Sequence, residues 1–489
     1  MDLSRKIIIL IYGRAFSFLI SLVIPIALTR LLLKEDYGTY QQLVMIYSVI
    51  QAILLLGIPQ SLLYYYPRNE SEAHPLLVKQ TWSIVGFSSL FVILASLGIS
   101  EGMEILESEH HLQPFIFLIG IYTGIMLLVM PLQNLLVLEG KESLAMQCMI
   151  GFTVIDIIVL PSAAWLNPST LGMVYGIIAT AITKAAVVLV YIYLNYLNKA
   201  YVGNTFYKEQ LAYGIPVGLT AMIYVINVNI DKYLVAMFFS TSVFGVYYLG
   251  SLWAPIFGWF TQSASQVITP RLSKAHKDNN LVEMRNLYNK SIEKLSFLFF
   301  PLTIFLILMA EPLIITMFTG KYEDAIPIFT IYMTLLPTYS FRIGWILMAS
   351  GQTKFLLRLA IIVSVINIAF SYFLITNLEG DDRLLGIPFA TVMVTWLSTF
   401  AIMYQSMHTL DVKIVDAYPW RKIFSILFIS LISAAPLFMI LSLDISELYL
   451  LIISSLVYGV IFLYLTFRME IWGETEIRLL NSLFSLKNS

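Results

Sequence analysis

Six ionisable side chains stand inside stretches of the chain that are otherwise apolar: Arg14, Asp156, Lys184, Asp231, Lys232 and Arg342. Each carries a charge that costs about 2.5–3.5 kcal/mol at a bilayer centre on insertion scales, so such residues normally face a bundle interior or a water-filled cavity. Arg14 lies about seven residues from the inner end of its stretch, and Arg342 about six from the inner end of its own, a depth of about 10 Å at 1.5 Å per residue. If both face one cavity, they form a cationic substrate-binding site reachable from the inner leaflet. The rigid fork of a guanidinium suits a diphosphate. The plainer role for both is snorkelling to the inner interface, or pairing with a backbone carbonyl.

Asp156 and Lys184 fall near mid-bilayer in neighbouring stretches. They read either as an ion pair that cancels two insertion penalties, or as an ion-coupling carboxylate beside a substrate-binding lysine. Asp231 and Lys232 are adjacent, and adjacent residues on a helix point about 100° apart, so the two face each other poorly. They lie toward the outer end of their stretch, where anchoring of the helix and substrate contact by Lys232 are both open. His74, His110, His111, His276 and His408 fall in loops or at stretch ends. None has a second group at metal-ligand spacing, so no metal is expected. No phosphate-cradling glycine loop, GxSxG or HExxH occurs, and neither enzyme chemistry nor a cofactor is expected.

The elements that must position these groups are transmembrane helices. The chain has 489 residues, of which 59% are hydrophobic and 12% charged, against about 25% charged in a soluble domain. Apolar blocks predict about fourteen spans, at 7–33, 43–66, 77–99, 114–138, 144–166, 170–196, 211–239, 243–268, 295–318, 325–348, 355–377, 384–408, 422–442 and 447–467. The first block is too long for a signal-peptide core, so it reads as a retained span. Lys and Arg favour one set of connecting segments by about five to one, which puts both termini in the cytoplasm of a cell-membrane protein. A net charge of −1 argues against a nucleic-acid partner. The single Cys148 allows no internal disulfide. Residues 271–294 and the tail around 477–486 read as amphipathic helices on the inner leaflet. Gly120 and Gly124 form a small-residue packing face, and Tyr64, Tyr65 and Tyr66 an interfacial aromatic belt. Pro25, and Gly214, Pro216 and Gly218, mark either bends that could gate a path or packing features of the bundle.

An internal repeat is visible. Tyr37-Gly38-Thr39-Tyr40 follows the first span, and Phe244-Gly245-Val246-Tyr247 follows the seventh; Pro67-Arg68 and Pro270-Arg271 close the second and eighth. A repeat of six spans keeps its orientation, which relates two six-helix lobes by an axis along the membrane normal. The expected division is 1–198 for the N-terminal lobe, 199–410 for the C-terminal lobe, and 411–489 for two additional helices and a cytoplasmic tail.

At residues 28–43 (LTRLLLKEDYGTYQQL), 57–67 (GIPQSLLYYYP), 213–219 (YGIPVGL), 231–250 (DKYLVAMFFSTSVFGVYYLG), 265–275 (SQVITPRLSKA) and 320–329 (GKYEDAIPIF) the chain resembles the polysaccharide-transporter (oligosaccharide flippase) family. That family's superfamily also holds lipid II flippases and multidrug extrusion transporters. The resemblance implies two lobes around a central cavity and export of a polyprenyl-diphosphate-linked oligosaccharide by alternating access. It implies membrane lipid, polysaccharide polymerase and glycosyltransferases as surroundings or partners. A cation-coupled extruder of the same architecture, led by Asp156 or Asp231, and a membrane glycan polymerase or acyltransferase are the competing expectations.

Overall fold

The computed structural model describes residues 13, 16–105, 111–197, 206–252, 254–342, 344–413, 418–469 and 471. Every regular element among them is helical, and a helix satisfies its backbone groups within one segment, as lipid demands. The chain divides into two compact units, Met1–Tyr248 and Leu249–Ser489. The first contains α1 (Val23–Leu31), α2 (Lys34–Leu54), α3 (Ile58–Tyr65), α4 (His74–Ile105), α5 (Ile116–Val129), α6 (Leu132–Leu138), α7 (Glu142–Leu166), α8 (Thr170–Ile192), α9 (Tyr207–Val228), α10 (Ile230–Phe238) and most of α11 (Thr241–Ser251). The second contains α12 (Ala254–Lys277), α13 (Leu281–Leu308), α14 (Ala310–Phe318), α15 (Ala325–Met333), α16 (Thr338–Phe341), α17 (Trp345–Ala349), α18 (Thr353–Asn377), α19 (Asp382–Leu410), α20 (Trp420–Leu441) and α21 (Glu447–Arg468).

The protein is an all-α, polytopic membrane protein. Among the described residues ten helices are long and apolar enough to cross a membrane, or eleven when the bent pair α2–α3 is one span. Fourteen apolar blocks do not become fourteen unbroken helices, for local reasons. Block 7–33 runs into residues outside those described. Block 243–268 is shared between α11 and α12, and α12 is rich in Ser, Thr and Gln. Block 325–348 is broken into α15, α16 and α17.

In the first unit, α4 and α5 approach closely. A Cβ at Gly120 would stand 1.9 Å from Ser96 Oγ, and one at Gly124 2.8 Å from the Ile93 side chain. The Ser89 hydroxyl donates to the Gly124 carbonyl at 2.7 Å, and Ile58, Ile84, Val85, Val92 and Leu127 form a buried cluster beside it. Asp36 accepts from both the amide and the hydroxyl of Thr170 at 2.8 Å, capping the start of α8. In the second unit, Met309, Ala434, Leu437 and Tyr458 form a core, and Tyr458 donates to the Pro301 carbonyl at 2.9 Å.

Two expectations change. Residues 271–294 are not a separate interfacial helix; they are the end of α12 and the start of α13, joined by a turn in which Asn279 has φ +50°. Leu272, Met284, Tyr288 and Ile292 are buried because they face neighbouring helices rather than lipid headgroups. Nor do Tyr64, Tyr65 and Tyr66 simply line the lipid interface: Tyr64 stacks on Tyr213, with ring centroids 4.4 Å apart, and Tyr66 on His74 at 3.7 Å. The tail around 477–486 lies outside the described residues.

Candidate functional site

In the first unit α7 and α8 run together; a Cβ at Gly176 would stand 2.8 Å from the Ala163 methyl. Two turns further along α8, Lys184 reaches back to α7 and grips Asp156 through both carboxylate oxygens, at 2.6 and 2.7 Å. Its side chain is 9% exposed and that of Asp156 25%. The ammonium is thus committed to one carboxylate, and two charges become one neutral, hydrogen-bonded group inside hydrocarbon. Around the pair stand tyrosines: Asp156 acts electrostatically on Tyr40, Tyr47 and Tyr122, and the Tyr47 and Tyr122 rings lie 4.7 Å apart. This polar aromatic cluster was hidden in the sequence, because one tyrosine every turn or two does not distinguish a lining from a packing face.

Asp231 and Lys232 lie in the first turn of α10, just after the helix breaks at Asn229. Both are buried, and they find different partners. The Tyr247 hydroxyl donates to Asp231 at 3.2 Å, so the last residue of the second aromatic-Gly-x-Tyr motif holds the carboxylate. Lys232 donates to the Asn229 side-chain carbonyl at 3.3 Å, with its ammonium 6.0 Å from the centre of the Tyr248 ring.

In the second unit the apolar block carrying Arg342 is discontinuous. It passes from α15 through a turn at Pro337 into the short α16, and then leaves helical geometry at Arg342 itself, with φ −73° and ψ +33°. The Arg342 amide closes α16 onto the Thr338 carbonyl at 2.7 Å. Aromatic packing holds this turn: Tyr339 lies against Phe299, and Phe341 against Phe300, Tyr418 and Trp420. The Arg342 side chain is exposed. Discontinuous helices are where secondary transporters build their substrate and ion sites, and here the break carries an exposed arginine. Arg14, its expected companion, lies outside the described residues.

A further cluster, also missed in the sequence, sits in the connection between α6 and α7. Glu139 receives the hydroxyls of Tyr191, at 2.5 Å, and of Tyr196, and pairs with Lys141 at 2.6 Å. Burial alone would raise the Glu139 pKa; hydrogen bonds from Lys141, Tyr191 and Tyr196 and the Lys141 charge bring it below the ordinary value. The same contacts raise Lys141. The cluster ties the π-helical end of α8, Tyr193–Leu197, to the α6–α7 connection. No group of three metal-ligating side chains occurs among the described residues.

A family model described as "Polysaccharide biosynthesis protein" matches residues 27–327. No curated protein matches the chain by sequence. Among solved structures the chain is similar to the lipid II flippase MurJ in an inward closed conformation, at 17% identity and a TM-score of 0.73, covering 94% of this chain and 98% of that one. It is similar to an inward-facing multidrug resistance MATE-family transporter of the MOP superfamily, at 13% identity and a TM-score of 0.66, covering 81% and 94%. It is also similar to a MOP-superfamily transporter from Pyrococcus furiosus, at 13% identity and a TM-score of 0.57, covering 83% and 94%. These structural relatives are transporters and flippases, and at such identities the likeness is one of fold.

Proposed function

We propose, because the chain belongs to the polysaccharide biosynthesis protein family, that this membrane transporter is a flippase for a polyprenyl-diphosphate-linked oligosaccharide, working in cell-surface polysaccharide export. The observation that carries the reading is Arg342, an exposed arginine at the end of α16, where the apolar block 325–348 breaks. A diphosphate headgroup needs permanent positive charge with paired donors, and arginine supplies both. In the full reading Arg14 of the first apolar block supplies a second guanidinium, and the chain divides into an N-terminal lobe of residues 1–198 and a C-terminal lobe of residues 199–410. Residues 411–489 add two helices and a tail. The termini face the cytoplasm, the polyprenyl chain stays in lipid, and alternating access carries the headgroup across. Glycosyltransferases upstream and a polymerase downstream are the enzymes such a cargo requires.

The Asp156–Lys184 pair supports this over drug-cation extrusion. An extruder led by Asp156 needs a carboxylate that a mobile cation can occupy, and here a tethered ammonium occupies both oxygens. The test is substitution of Arg14 and Arg342 singly with Ala, with surface polysaccharide measured at matched protein levels. Export should fall at least about tenfold in each, the loss of one charge-assisted contact of about 1.5–3 kcal/mol. Unaltered export in both variants would remove the headgroup site.

A further inference from the structure

Gly-Ile-Pro occurs at 57–59 and again at 214–216, and within the first unit these two segments meet. The span made of α2 and α3 bends by 42° at its break. There Leu56 and Gly57 both have left-handed backbone, with φ +48° and +62°. A branched side chain resists that conformation, so something must hold Leu56 in it. The holder is α9. Gly214 and Gly218, one turn apart and flanking Pro216, form a notch that receives the bend. A Cβ at Gly214 would stand 2.5 Å from the Leu56 carbonyl oxygen, one at Gly218 2.7 Å from the Leu56 carbonyl carbon, and one at Gly57 2.3 Å from the Gly214 carbonyl oxygen.

Toward the start of α9 the contact continues as a clasp. Tyr213 stacks on Tyr64, the Tyr65 hydroxyl donates to the Glu209 carbonyl at 3.3 Å, and the buried Gln210 amide donates to the Thr81 hydroxyl at 3.0 Å. At the other end of the same bent span, a Cβ at Gly38 would stand 1.8 Å from the Thr241 carbonyl oxygen, and one at Gly245 3.2 Å from the Gly38 Cα. The glycines of the two aromatic-Gly-x-Tyr motifs therefore touch. The bent α2–α3 pair thus holds α11 near the start of α2 and α9 at its break.

We infer that Leu56-Gly57 is a strained latch: seated in the α9 notch it keeps one end of the transport path shut, and withdrawal of α9 lets the bend relax and opens that end. This rests on the transport reading, in which strain stored in one of two alternating states has a use. Three glycines are required where the backbones meet, and Leu56, rather than glycine, at the bend makes the closed state releasable.

The test uses the full chain, purified in lipid nanodiscs, with Cys148→Ala and a reporter Gln210→Cys, a position fully buried in the closed contact. Labelling by a bulky polar maleimide reads opening. Gly218→Ala and Gly214→Ala should each raise the labelling rate roughly tenfold by shifting the closed–open balance. Gly151→Ala, where a Cβ meets open space, should leave it unchanged. Leu56→Gly relieves the strain in the closed state and should slow labelling several-fold. A second reporter, Ser89→Cys, buried between α4 and α5, must stay unreactive; a variant that reacts there has unfolded, and the decision then passes to Leu56→Gly. Labelling unchanged in folded Gly214→Ala and Gly218→Ala, or not slowed by Leu56→Gly, overturns the latch. Loss of surface glycan on deleting the protein, with labelling indifferent to these variants, discards the latch and keeps the cargo; the expected labelling with surface glycan intact on deletion does the reverse.

Discussion

Replacing Lys184 with methionine keeps an unbranched side chain one atom shorter and removes its charge, leaving the Asp156 carboxylate without the ammonium that holds both its oxygens at 2.6 and 2.7 Å. At 2.6 Å the gross Coulomb attraction is about 6 kcal/mol for an effective dielectric constant of about 20. Most of that is offset by desolvation of the two charges. What remains on breaking one side of a buried pair is about 3–5 kcal/mol, and the 25% exposure left to the Asp156 side chain places the cost near the lower end. Lys184→Met should therefore shift the unfolding equilibrium roughly a hundredfold, about 3 kcal/mol. Asp156→Asn should cost a similar amount by stranding the lysine. The double variant should recover most of the loss, to within about 1 kcal/mol of the natural protein, because two neutral groups replace a neutral pair. Equilibrium unfolding in mixed micelles of a mild detergent and SDS measures all four proteins. Additive costs in the double variant would show that the two charges are not energetically coupled, and would refute the argument that the pair exists to cancel two insertion penalties.

Other perturbations follow from particular contacts. Gly124→Val places a branched side chain where even a Cβ meets the Ser89 carbonyl at 3.0 Å; it should destabilise by about 1–3 kcal/mol, seen as a lowered midpoint in the same micelle titration. Asp36→Ala leaves the Thr170 amide and hydroxyl without their acceptor and should cost about 1–2 kcal/mol, with Asp36→Asn recovering part of it. Glu139, whose folded pKa is depressed, contributes stability that is fully present above the ordinary carboxylate range and is lost as pH falls through the lowered folded value. Thermal midpoints of the natural protein and Glu139→Gln should differ at neutral pH and converge in acid; a difference that persists there would remove the carboxylate from the account. Arg342→Lys should lower glycan export nearly as far as Arg342→Ala, since an ammonium lacks the paired donors, and surface polysaccharide at matched protein level reads this directly.

The membrane class, the helical fold and the likeness to a flippase family were all legible in the linear chain. Apolar blocks of bilayer length, basic residues biased to alternate connections and motifs in fixed order are local properties, and neither lipid nor helix geometry leaves another way to satisfy them. The charged residues in the spans were equally legible, since any ionisable group there stands out by its cost. Partnership and backbone irregularity belonged to the tertiary structure. Lys184 could have met substrate, solvent or Asp156, and only the packing of α7 on α8 brought it to the carboxylate. Asp231 and Lys232, adjacent in the chain, were separated in space by helical twist and given to Tyr247 and Asn229. The bend at Leu56-Gly57 had only a Gly-Ile-Pro triplet to announce it, and the same triplet at 386–388 lies inside the α19 helix without a break. A left-handed leucine is stable only against a surface that comes from elsewhere in the chain, and no reading of nearest neighbours contains that surface.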